Sequence, residues 1–452
     1  MTASAAQPAA AVPREKGELL GRVRGAARTR FVGAAGVYLY DDAGREYLDG
    51  MSGSMVANLG YGNDALVDEL ESAARTLPYV HESWATNRNA EELAELLASL
   101  APEALRYVYL SSSGSDAVEA ALRISISYQS GRGHPERRRF AGATHGYHGS
   151  TAGSLSVTGL GWVREPYADL LAPVERVASG FCFHCPLGLE RPTCGLACAE
   201  TLERLLSSHR GARIAAFVTE AVVAGAAGAA EPPREYLPRV QEICREHDVL
   251  LVVDEIVTAL GRTGANFAVD HYGVTPDLLV VSKGLGAGYF PMSAVLVHEH
   301  VAEQLDPDVP LLGHTYNSHP VGSAVALAAI RQLLDEDLVA QARIRGGTLF
   351  ELLSRLRSHP IVSDVRGKGL LAAIELGRDG MPFDPRQKVS RAVARAAFAR
   401  GLLVHHGQGC IDGITGDQLV VAPPLVVSAE ELETIVDRLE GAIEDVEREL
   451  AL

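Results

Sequence analysis

A lysine stands between a short apolar run and a glycine-rich stretch. Leu278–Val281 predicts a buried strand, and Lys283 lies two residues beyond it, directly before Gly284–Gly288. An ammonium group at the edge of a buried sheet loses hydration, so its pKa falls toward that of a reactive amine. Amines of this kind form Schiff bases with carbonyl compounds. The alternative is a loop lysine whose stem is buried and whose charge reaches the solvent.

A carboxylate follows a second apolar run. Asp254 comes directly after Val249–Val253, which predicts another buried strand. Pyridoxal phosphate enzymes need an anion beside the pyridine nitrogen, because the protonated ring then accepts electrons. A magnesium-binding aspartate can also follow an apolar strand, but it needs a Gly-x-x-x-x-Gly-Lys-Ser/Thr loop upstream. No such loop occurs in the sequence, so Lys283 and Asp254 together favour pyridoxal chemistry.

Two further segments fit the other parts of such a cofactor. Ser113–Asp116 lies between a predicted strand and a predicted helix, where backbone N–H groups and two hydroxyl groups can bind a phosphate. About 30 residues later, Tyr147 and His148 precede Gly149, and either aromatic ring could stack on a flat cofactor. Serine and glycine also mark ordinary loops and helix caps, and the tyrosine could simply be exposed in a turn.

Length and composition limit the classes of protein. The chain has 452 residues, which suggests about two to three domains. Its formal net charge of −16 makes nucleic acid an unfavourable main partner. No apolar run approaches the ~18 residues of a membrane-spanning helix. Met1–Val12 lacks the features of a secretory signal and is interpreted as a frayed tail. We therefore expect a cytoplasmic enzyme with no membrane partner.

Apolar strands that alternate with helices must position these residues. Such a pattern predicts a largely parallel sheet covered on both faces, with ligands beyond the carboxyl ends of its strands. Glu220 follows one of the predicted strands directly. The predicted strands of this part are Arg106–Leu110, Ala215–Thr219, Val249–Val253 and Leu278–Val281, and the predicted helices are Ala65–Leu77, Ala90–Ala98, Asp116–Ser125 and Tyr236–Glu246.

The two ends of the chain predict a second, smaller domain. Gly36–Leu48 predicts a hairpin. After about residue 325, the pattern changes to longer amphipathic helices with fewer strands. Ser428 and Glu431 form a capping box in front of the last helix. We predict an N-terminal segment of the small domain at 1–60, a large cofactor-binding domain at 61–324 and the C-terminal small domain at 325–452.

The sequence resembles the class III (omega-type) pyridoxal-phosphate-dependent aminotransferases of fold type I. The resemblance runs from about Tyr38 to the C-terminus, and the order and spacing of its motifs are highly specific. The fold it implies is α/β, with a mainly parallel, seven-stranded type of sheet between helices and a smaller α/β domain from the two termini. Four windows carry the resemblance: Ser113–Ala121, Tyr147–Gly149, Asp254–Gly264 and Pro276–Gly284.

The resemblance implies a role for each candidate residue. Lys283 forms the Schiff base with pyridoxal 5′-phosphate and moves the proton between substrate and cofactor. Asp254 pairs with the pyridine nitrogen, and Thr315 reaches the phosphate of the partner subunit, which implies an obligate homodimer with shared active sites. The remaining cofactor-binding residues are Gly114 and Ser115 at the phosphate, Tyr147 and Ile256 on the two ring faces, and His148 and Glu220 near the ring.

The implied reaction is a transamination in two halves. An amine or amino acid donor gives its amino group to the cofactor, and an oxo-acid or aldehyde acceptor takes it. A racemase, epimerase or lyase on the same scaffold is the alternative, because these reactions also need Lys283 and Asp254. Arg262 lies in the third window, matches the family pattern there and favours a transaminase.

The sequence departs from the family pattern before its C-terminal Pro-Pro-Leu, at Ala259-Leu260, where glycine-phenylalanine is more usual, and after Glu220. Many members that accept carboxylate-bearing substrates have an arginine shortly before the C-terminal Pro-Pro-Leu, but Leu402–Pro424 contains none. A neutral or acidic wall would disfavour a substrate carboxylate there. Ala221 replaces the usual proline after Glu220, which makes the role of this glutamate less certain.

Four cysteines form a cluster with the spacing Cys-x2-Cys-x8-Cys-x3-Cys. Four soft ligands can close a tetrahedral zinc site, although the second pair has three intervening residues rather than two. Packed thiols or a local disulfide are the alternatives, and we expect no catalytic metal. The four residues are Cys182, Cys185, Cys194 and Cys198.

Overall fold

The computed structural model describes residues 29–451. The predicted tail Met1–Val12 and the first part of the predicted segment 1–60 lie outside the described residues. The strands are β1 (Phe31–Ala35), β2 (Tyr38–Asp41), β3 (Glu46–Asp49), β4 (Leu105–Ser111), β5 (Arg139–Ala143), β6 (Val174–Val177), β7 (Ile214–Glu220), β8 (Leu250–Asp254), β9 (Leu278–Val281), β10 (Ser293–His298), β11 (Val362–Lys368), β12 (Leu371–Arg378), β13 (Met381–Pro382), β14 (Leu402–Leu403), β15 (His405–Gln408) and β16 (Asp417–Val421).

The helices connect and cover these strands. They are α1 (Ser52–Met55), α2 (Asp64–Thr76), α3 (Arg88–Leu100), α4 (Gly114–Gly131), α5 (Ala152–Val157), α6 (Gly161–Arg164), α7 (Ala197–Leu206), α8 (Tyr236–Glu246), α9 (Glu299–Ala302), α10 (Pro320–Asp335), α11 (Leu338–Leu353), α12 (Val389–Ala399) and α13 (Ala429–Glu449). None of the helices between residues 29 and 451 is long and apolar enough to span a membrane.

A seven-stranded sheet forms the centre of the molecule. Its strand order is β4-β10-β9-β8-β7-β5-β6. The four pairings from β9 to β6 are parallel, and only β10 runs antiparallel to its two neighbours. Alternate residues of the strands pack into two separate apolar clusters, so both faces of the sheet are buried. The predicted α/β class and the mainly parallel sheet are confirmed.

Strands from both ends of the chain build two smaller sheets. The sheet β1-β2-β3-β14 joins the N-terminal hairpin to the C-terminal strand β14, which pairs in parallel with β3. The sheet β11-β12-β16-β15 lies entirely in the C-terminal part. The predicted shift to fewer strands after residue 325 is therefore wrong, since β11–β16 all follow it. The run Leu371–Leu376 is apolar at almost every position, contains two alanines and has no alternation that would identify a strand.

Local sequence explains where the main helices begin. The side chain of Ser113 accepts a hydrogen bond from the backbone N–H of Asp116, which fixes the start of α4. Ser428 and Glu431 form the predicted capping box of α13. One face of α13 is buried against the C-terminal core, in agreement with its predicted apolar stripe.

Arg262 joins segments that are far apart in the sequence. Its guanidinium group is fully buried. Four oxygens accept its hydrogen bonds, and they come from both ends of the chain: Ser52 Oγ at 3.2 Å, Asn58 Oδ1 at 2.7 Å, the Leu370 carbonyl at 2.9 Å and the Pro423 carbonyl at 2.5 Å. The sequence associated Arg262 with transaminase chemistry, but these contacts give it a structural role.

Replacing Arg262 should destabilise the fold strongly. Arg262→Met keeps an apolar stem but leaves two buried carbonyls and the Asn58 side chain without a donor. We expect a loss of about 3–5 kcal/mol in the free energy of unfolding. The matched control is Arg331→Met, which removes an exposed ion pair with Glu92 and should cost less than about 1 kcal/mol. Thermal unfolding measures both, and equal Tm values for the two variants would contradict this role.

Candidate active site

The register of three parallel strands gathers the candidate residues at one edge of the large sheet. Glu220 ends β7 and pairs with Asp254, which ends β8. Asp254 in turn pairs with Val280 of β9, and Lys283 follows three residues later. Because the carboxyl ends of parallel strands meet at one edge, the two carboxylates and the amine face the same space.

The amine of Lys283 is buried and poorly hydrated. Desolvation lowers the pKa of Lys283 to about 8, while the charges of Asp254 and Glu220 oppose this shift. Lys283 also has a φ of 40°, in the left-handed region that costs a non-glycine residue energy. A Cβ on the next residue, Gly284, would lie 2.2 Å from the side-chain nitrogen Nδ2 of Asn58. Gly284 therefore allows the backbone to pass close to Asn58 and fixes the direction of the lysine.

Hydrogen bonds hold Asp254 on both oxygens. Its Oδ1 accepts the backbone N–H of Ile256 at 2.9 Å, and its Oδ2 lies 2.8 Å from Nδ1 of His148. Both side chains are buried. The other ring nitrogen of His148, Nε2, is buried and has no hydrogen-bond partner among the described residues. The side of the histidine away from Asp254 thus leaves one buried polar atom unsatisfied close to Gly146, where a Cβ would lie 2.8 Å from Nε2.

Glu220 joins two loops at the same edge. Its Oε1 accepts the backbone N–H of Tyr147, and its Oε2 accepts that of Ala224, each at 2.9 Å. Burial and the charge of Asp254 raise the pKa of Glu220 to about 7, although His148 and the two N–H groups oppose the shift. The glutamate therefore fixes the backbone of Tyr147, whose side chain is 44% exposed beside the sheet edge.

A helix start and two close backbone approaches form the candidate phosphate cradle. α4 begins at Gly114, and the Oγ atom of Ser115 accepts the backbone N–H of Ser150 at 3.1 Å. A Cβ on Gly114 would lie 2.8 Å from the side chain of Ile256. Gly149 has a φ of 137°, and a Cβ there would lie 2.5 Å from Ser115 Oγ. At both positions a Cβ would clash with these side chains, so glycine allows Ile256 and Ser115 to pack against the backbone.

The segment around Thr315 contacts Tyr79 and the first turn of α4 within its own chain. Thr315 is exposed, and its carbonyl accepts a hydrogen bond from Tyr79 at 2.9 Å. His314 lies 3.7 Å from the Asp116 carboxylate in the first turn of α4. Among residues 29–451, no hydrogen bond joins Thr315 to Lys283, Asp254 or Glu220.

Two positioning residues were missed by the sequence analysis. Thr158 accepts the backbone N–H of His148 and donates to the carbonyl of Ser154. Asn58 lies between Arg262 and Gly284, as described above. Neither residue belongs to a motif whose chemistry is visible in the sequence, and both come next to the lysine site only through tertiary contacts.

Neither a metal site nor a disulfide is formed by the cysteine cluster in the described part of the chain. In the described part of the chain, no group of three or more His, Cys, Asp or Glu residues is arranged to hold a metal ion. Cys182, Cys185, Cys194 and Cys198 are all free thiols, so no local disulfide is present.

Comparison with known proteins identifies the family. Residues 24–443 match the family described as Aminotransferase class-III. The chain belongs to the class III aminotransferases.

Individual relatives agree with this assignment. The chain is 33% identical to an uncharacterized aminotransferase of Bacillus subtilis, over 92% of this chain and 95% of that protein. It is 34% identical to an adenosylmethionine-8-amino-7-oxononanoate aminotransferase of Geobacter sulfurreducens, over 91% of each chain. Its structure is similar to that of an amine transaminase from an uncultivated Pseudomonas species in the PLP-bound (internal aldimine) form, with a TM-score of 0.88, 29% identity and coverage of 96% and 100% of the two chains.

The enzyme is therefore a pyridoxal-phosphate-dependent aminotransferase. The family assignment supports transamination over the racemase, epimerase and lyase reactions that the same residues could serve. The structure fits the cofactor, since it provides a desolvated amine, a buried carboxylate fixed by His148 and Ile256, and a helix start at which Ile256 and Ser115 closely approach two glycines.

The lowered pKa of Lys283 predicts how the cofactor attaches. Only the neutral amine can attack an aldehyde, so the rate of covalent attachment to cofactor-free protein should rise with pH and level off above about 8. Absorbance after rapid mixing with pyridoxal phosphate at different pH values measures this rate. A small model amine with an ordinary lysine pKa of about 10.4 is the control. A protein profile that continued to rise in parallel with the control would show a fully solvated amine.

Proposed function

We propose that this aminotransferase uses Lys283 as its catalytic amine and Asp254 as the partner of the cofactor ring nitrogen. The amino group passes from an amine or amino acid donor to an oxo-acid or aldehyde acceptor. The observation that carries the proposal is the register β7–β8–β9, which puts Glu220, Asp254 and Lys283 side by side at one sheet edge.

Pyridoxal phosphate, when bound, supplies the ring that withdraws electrons from the substrate carbon. Lys283 holds the cofactor and then carries a proton at Nζ. A pKa of about 8 suits both tasks, because the amine can lose and regain its proton near neutral pH. The left-handed backbone at Lys283 and the close contact of Gly284 with Asn58 restrict where Nζ can point.

Asp254 orients and retains the proton on the ring nitrogen. An aspartate that turned freely would lose this function, but His148 and the backbone of Ile256 fix both of its oxygens. The pair is buried, so water does not compete for the carboxylate. His148 is therefore a positioning residue that acts through Asp254, and Thr158 fixes the backbone of the histidine in turn.

The remaining residues bind the phosphate and the faces of the ring. The first N–H groups of α4, with Gly114 and Ser115, suit an anion because they have no partner inside the helix. Tyr147 and Ile256 lie on different loops of the same edge and would enclose a flat ring between them. Glu220 fixes the Tyr147 backbone and so sets the position of that ring face.

Replacing Asp254 should separate folding from catalysis. Asp254→Asn keeps the size of the side chain, but the amide cannot hold the ring-nitrogen proton. Turnover should fall by at least about 100-fold, and cofactor binding should lose about 1.5–3 kcal/mol, the value of a hydrogen bond to a charged group. Steady-state kinetics and equilibrium dialysis of pyridoxal phosphate measure the two effects.

The matched control for this prediction is Asp277→Asn. Asp277 lies at the opposite end of the same sheet, where its carboxylate accepts the backbone N–H of Leu251. This variant should keep near-normal turnover per folded molecule. If Asp254→Asn turned over like the Asp277 variant, another residue would have to pair with the ring nitrogen.

We also propose that two chains share each active site. Thr315 is exposed and makes no hydrogen bond to Lys283, Asp254 or Glu220 among the described residues, while the nearby Leu312 and Tyr316 expose large apolar surfaces, 63% and 59% of each residue. Exposed apolar groups of this size are typical of protein–protein interfaces. A second copy of this chain that covered them would bring its own Thr315 to the phosphate.

Mixed dimers test the sharing directly. Lys283→Ala chains and Thr315→Ala chains are each expected to be impaired. If sites are shared, every mixed dimer has one site with both lesions and one with neither, so activity should return to as much as half of the wild-type value per mixed dimer. Subunit exchange between differently tagged chains, followed by purification of the mixed species, gives this number. Activity that stayed at the average of the two parent variants would mean that each site is complete within one chain.

The segment 402–424, which we call the substrate wall, indicates which class of substrate the enzyme accepts. A loop between β15 and β16 packs on the large domain, where Trp162 donates to the carbonyls of Gln408 and Gly413. Its one acidic side chain, Asp412, accepts the backbone N–H groups of Ile414 and Thr415. Since 402–424 contains no arginine, we propose substrates that carry no second carboxylate toward this wall. A cytoplasmic location and the absence of a nucleic-acid partner stay predictions from the sequence.

A further inference from the structure

Four thiols meet at one small cavity outside the active site. The cavity has a volume of about 20 Å³, enough for about one water molecule, and otherwise has a mostly apolar lining that includes Phe181, Leu187 and Leu189. We call the four cysteines that line it the thiol cluster: Cys182, Cys185, Cys194 and Cys198. All four are free, so two potential disulfides are unmade.

The thiols are close enough to influence one another. Burial raises the pKa of Cys182, and the charges that raise it further include those of Cys194 and Cys185. Cys198 is affected in the same way by Cys182 and Cys185. Cys182 is thus a shared neighbour of the other three, and it is the exposed member of the cluster. An exposed thiol beside a half-buried one can be reached by a small disulfide and then resolved by its neighbour.

The thiol cluster borders a contact between the large sheet region and the C-terminal sheet. The two residues between Cys182 and Cys185 are Phe183 and His184. Nε2 of His184 lies 2.5 Å from the Glu375 carboxylate on β12. The guanidinium of Arg366 on β11 lies 5.7 Å from the centre of the Phe183 ring. The turn that carries the first two thiols is therefore also the turn that touches the C-terminal sheet.

That contact continues to the loop of the proposed substrate wall. Arg366 also lies over Phe181, whose ring packs edge-on against His145 at 5.5 Å. Nε2 of His145 lies 2.8 Å from the carbonyl of Ile411 in the β15–β16 loop. His145 is two residues before Tyr147. A covalent bond that restrained the turn 182–185 would restrain one side of this chain of contacts.

We propose that the thiol cluster is a reversible oxidation site in which Cys182 forms a disulfide with Cys194 and fixes the turn 182–185 against the C-terminal sheet. The oxidant is a small-molecule disulfide such as oxidised glutathione. The Cys182 thiolate attacks it and releases one glutathione thiol, and Cys194 then attacks the mixed disulfide and releases the second. The two protein thiols lose two electrons and two protons, which the two glutathione thiols gain.

Peptide mapping of the holoenzyme tests the proposal. The protein is incubated with oxidised glutathione, its free thiols are alkylated, and it is digested with a protease that cuts after glutamate. Cleavage after Glu175, Glu190 and Glu200 separates the peptide 176–190, with Cys182 and Cys185, from the peptide 191–200, with Cys194 and Cys198. We expect the two peptides to remain joined by a Cys182–Cys194 bond and to separate after treatment with dithiothreitol.

The same digest contains its own control and the results that would overturn the proposal. Cys244 and Cys410 are almost fully buried and should be recovered as free thiols. A stable glutathione adduct on Cys182 without a cross-link would show an accessible thiol with no partner in reach. A bond within one peptide, or a cluster recovered fully reduced at every glutathione ratio, would also refute the proposed pair.

A second measurement tests whether the bond restrains the fold. Closing this loop should raise the Tm of the holoenzyme by about 3–5 °C in oxidised glutathione relative to dithiothreitol. Cys182→Ser should have the same Tm in both solutions. A wild-type Tm that did not change, despite a mapped Cys182–Cys194 bond, would refute the restraint on the turn.

Discussion

Three ionisable groups share a poorly hydrated edge of one parallel sheet, and most features of the active site depend on this constraint. The pairing of β7 with β8 puts two carboxylates next to each other, and the pairing of β8 with β9 brings the lysine beside them. Desolvation shifts the pKa of two of these groups. It raises the pKa of Glu220 to about 7 and lowers that of Lys283 to about 8, whereas Asp254 receives two hydrogen bonds from its surroundings. One sheet edge thus provides a carboxylate and an amine that can each change charge near neutral pH.

The position of this sheet edge depends on contacts between distant parts of the chain. Arg262 binds oxygens from the N-terminal segment and from the C-terminal part, and one of them belongs to Asn58, which packs against Gly284 beside the lysine. A single buried guanidinium group therefore links the two ends of the chain to the residue after Lys283. Stability and the geometry of the site are coupled through this contact.

The sequence predicted the elements whose patterns are local. The bounds of α8 and β9 agree with the predicted Tyr236–Glu246 and Leu278–Val281, because both patterns end at clear polar positions. The strand β12 was missed because its buried run with alanine does not alternate, and β11 was missed because its sequence is largely polar and contains a glycine. The structural contacts of Arg262 could not be predicted from local sequence, since its four acceptors come from positions up to 210 residues away. Glu220, Asp254 and Lys283 were predicted from their places beside strand ends and stay predictions as cofactor residues, whereas Thr158 and Asn58 act only through tertiary contacts.

The claim that Lys283 carries the cofactor is the centre of this account, and one measurement tests it most directly. Borohydride reduction of the holoenzyme fixes the cofactor covalently to the lysine that holds it, and peptide mapping then identifies that residue. The account predicts the label on the peptide that contains Lys283 and on no other lysine, with no label retained by Lys283→Ala. A label on Lys368 or Lys388 instead, or an unchanged label in the variant, would contradict it.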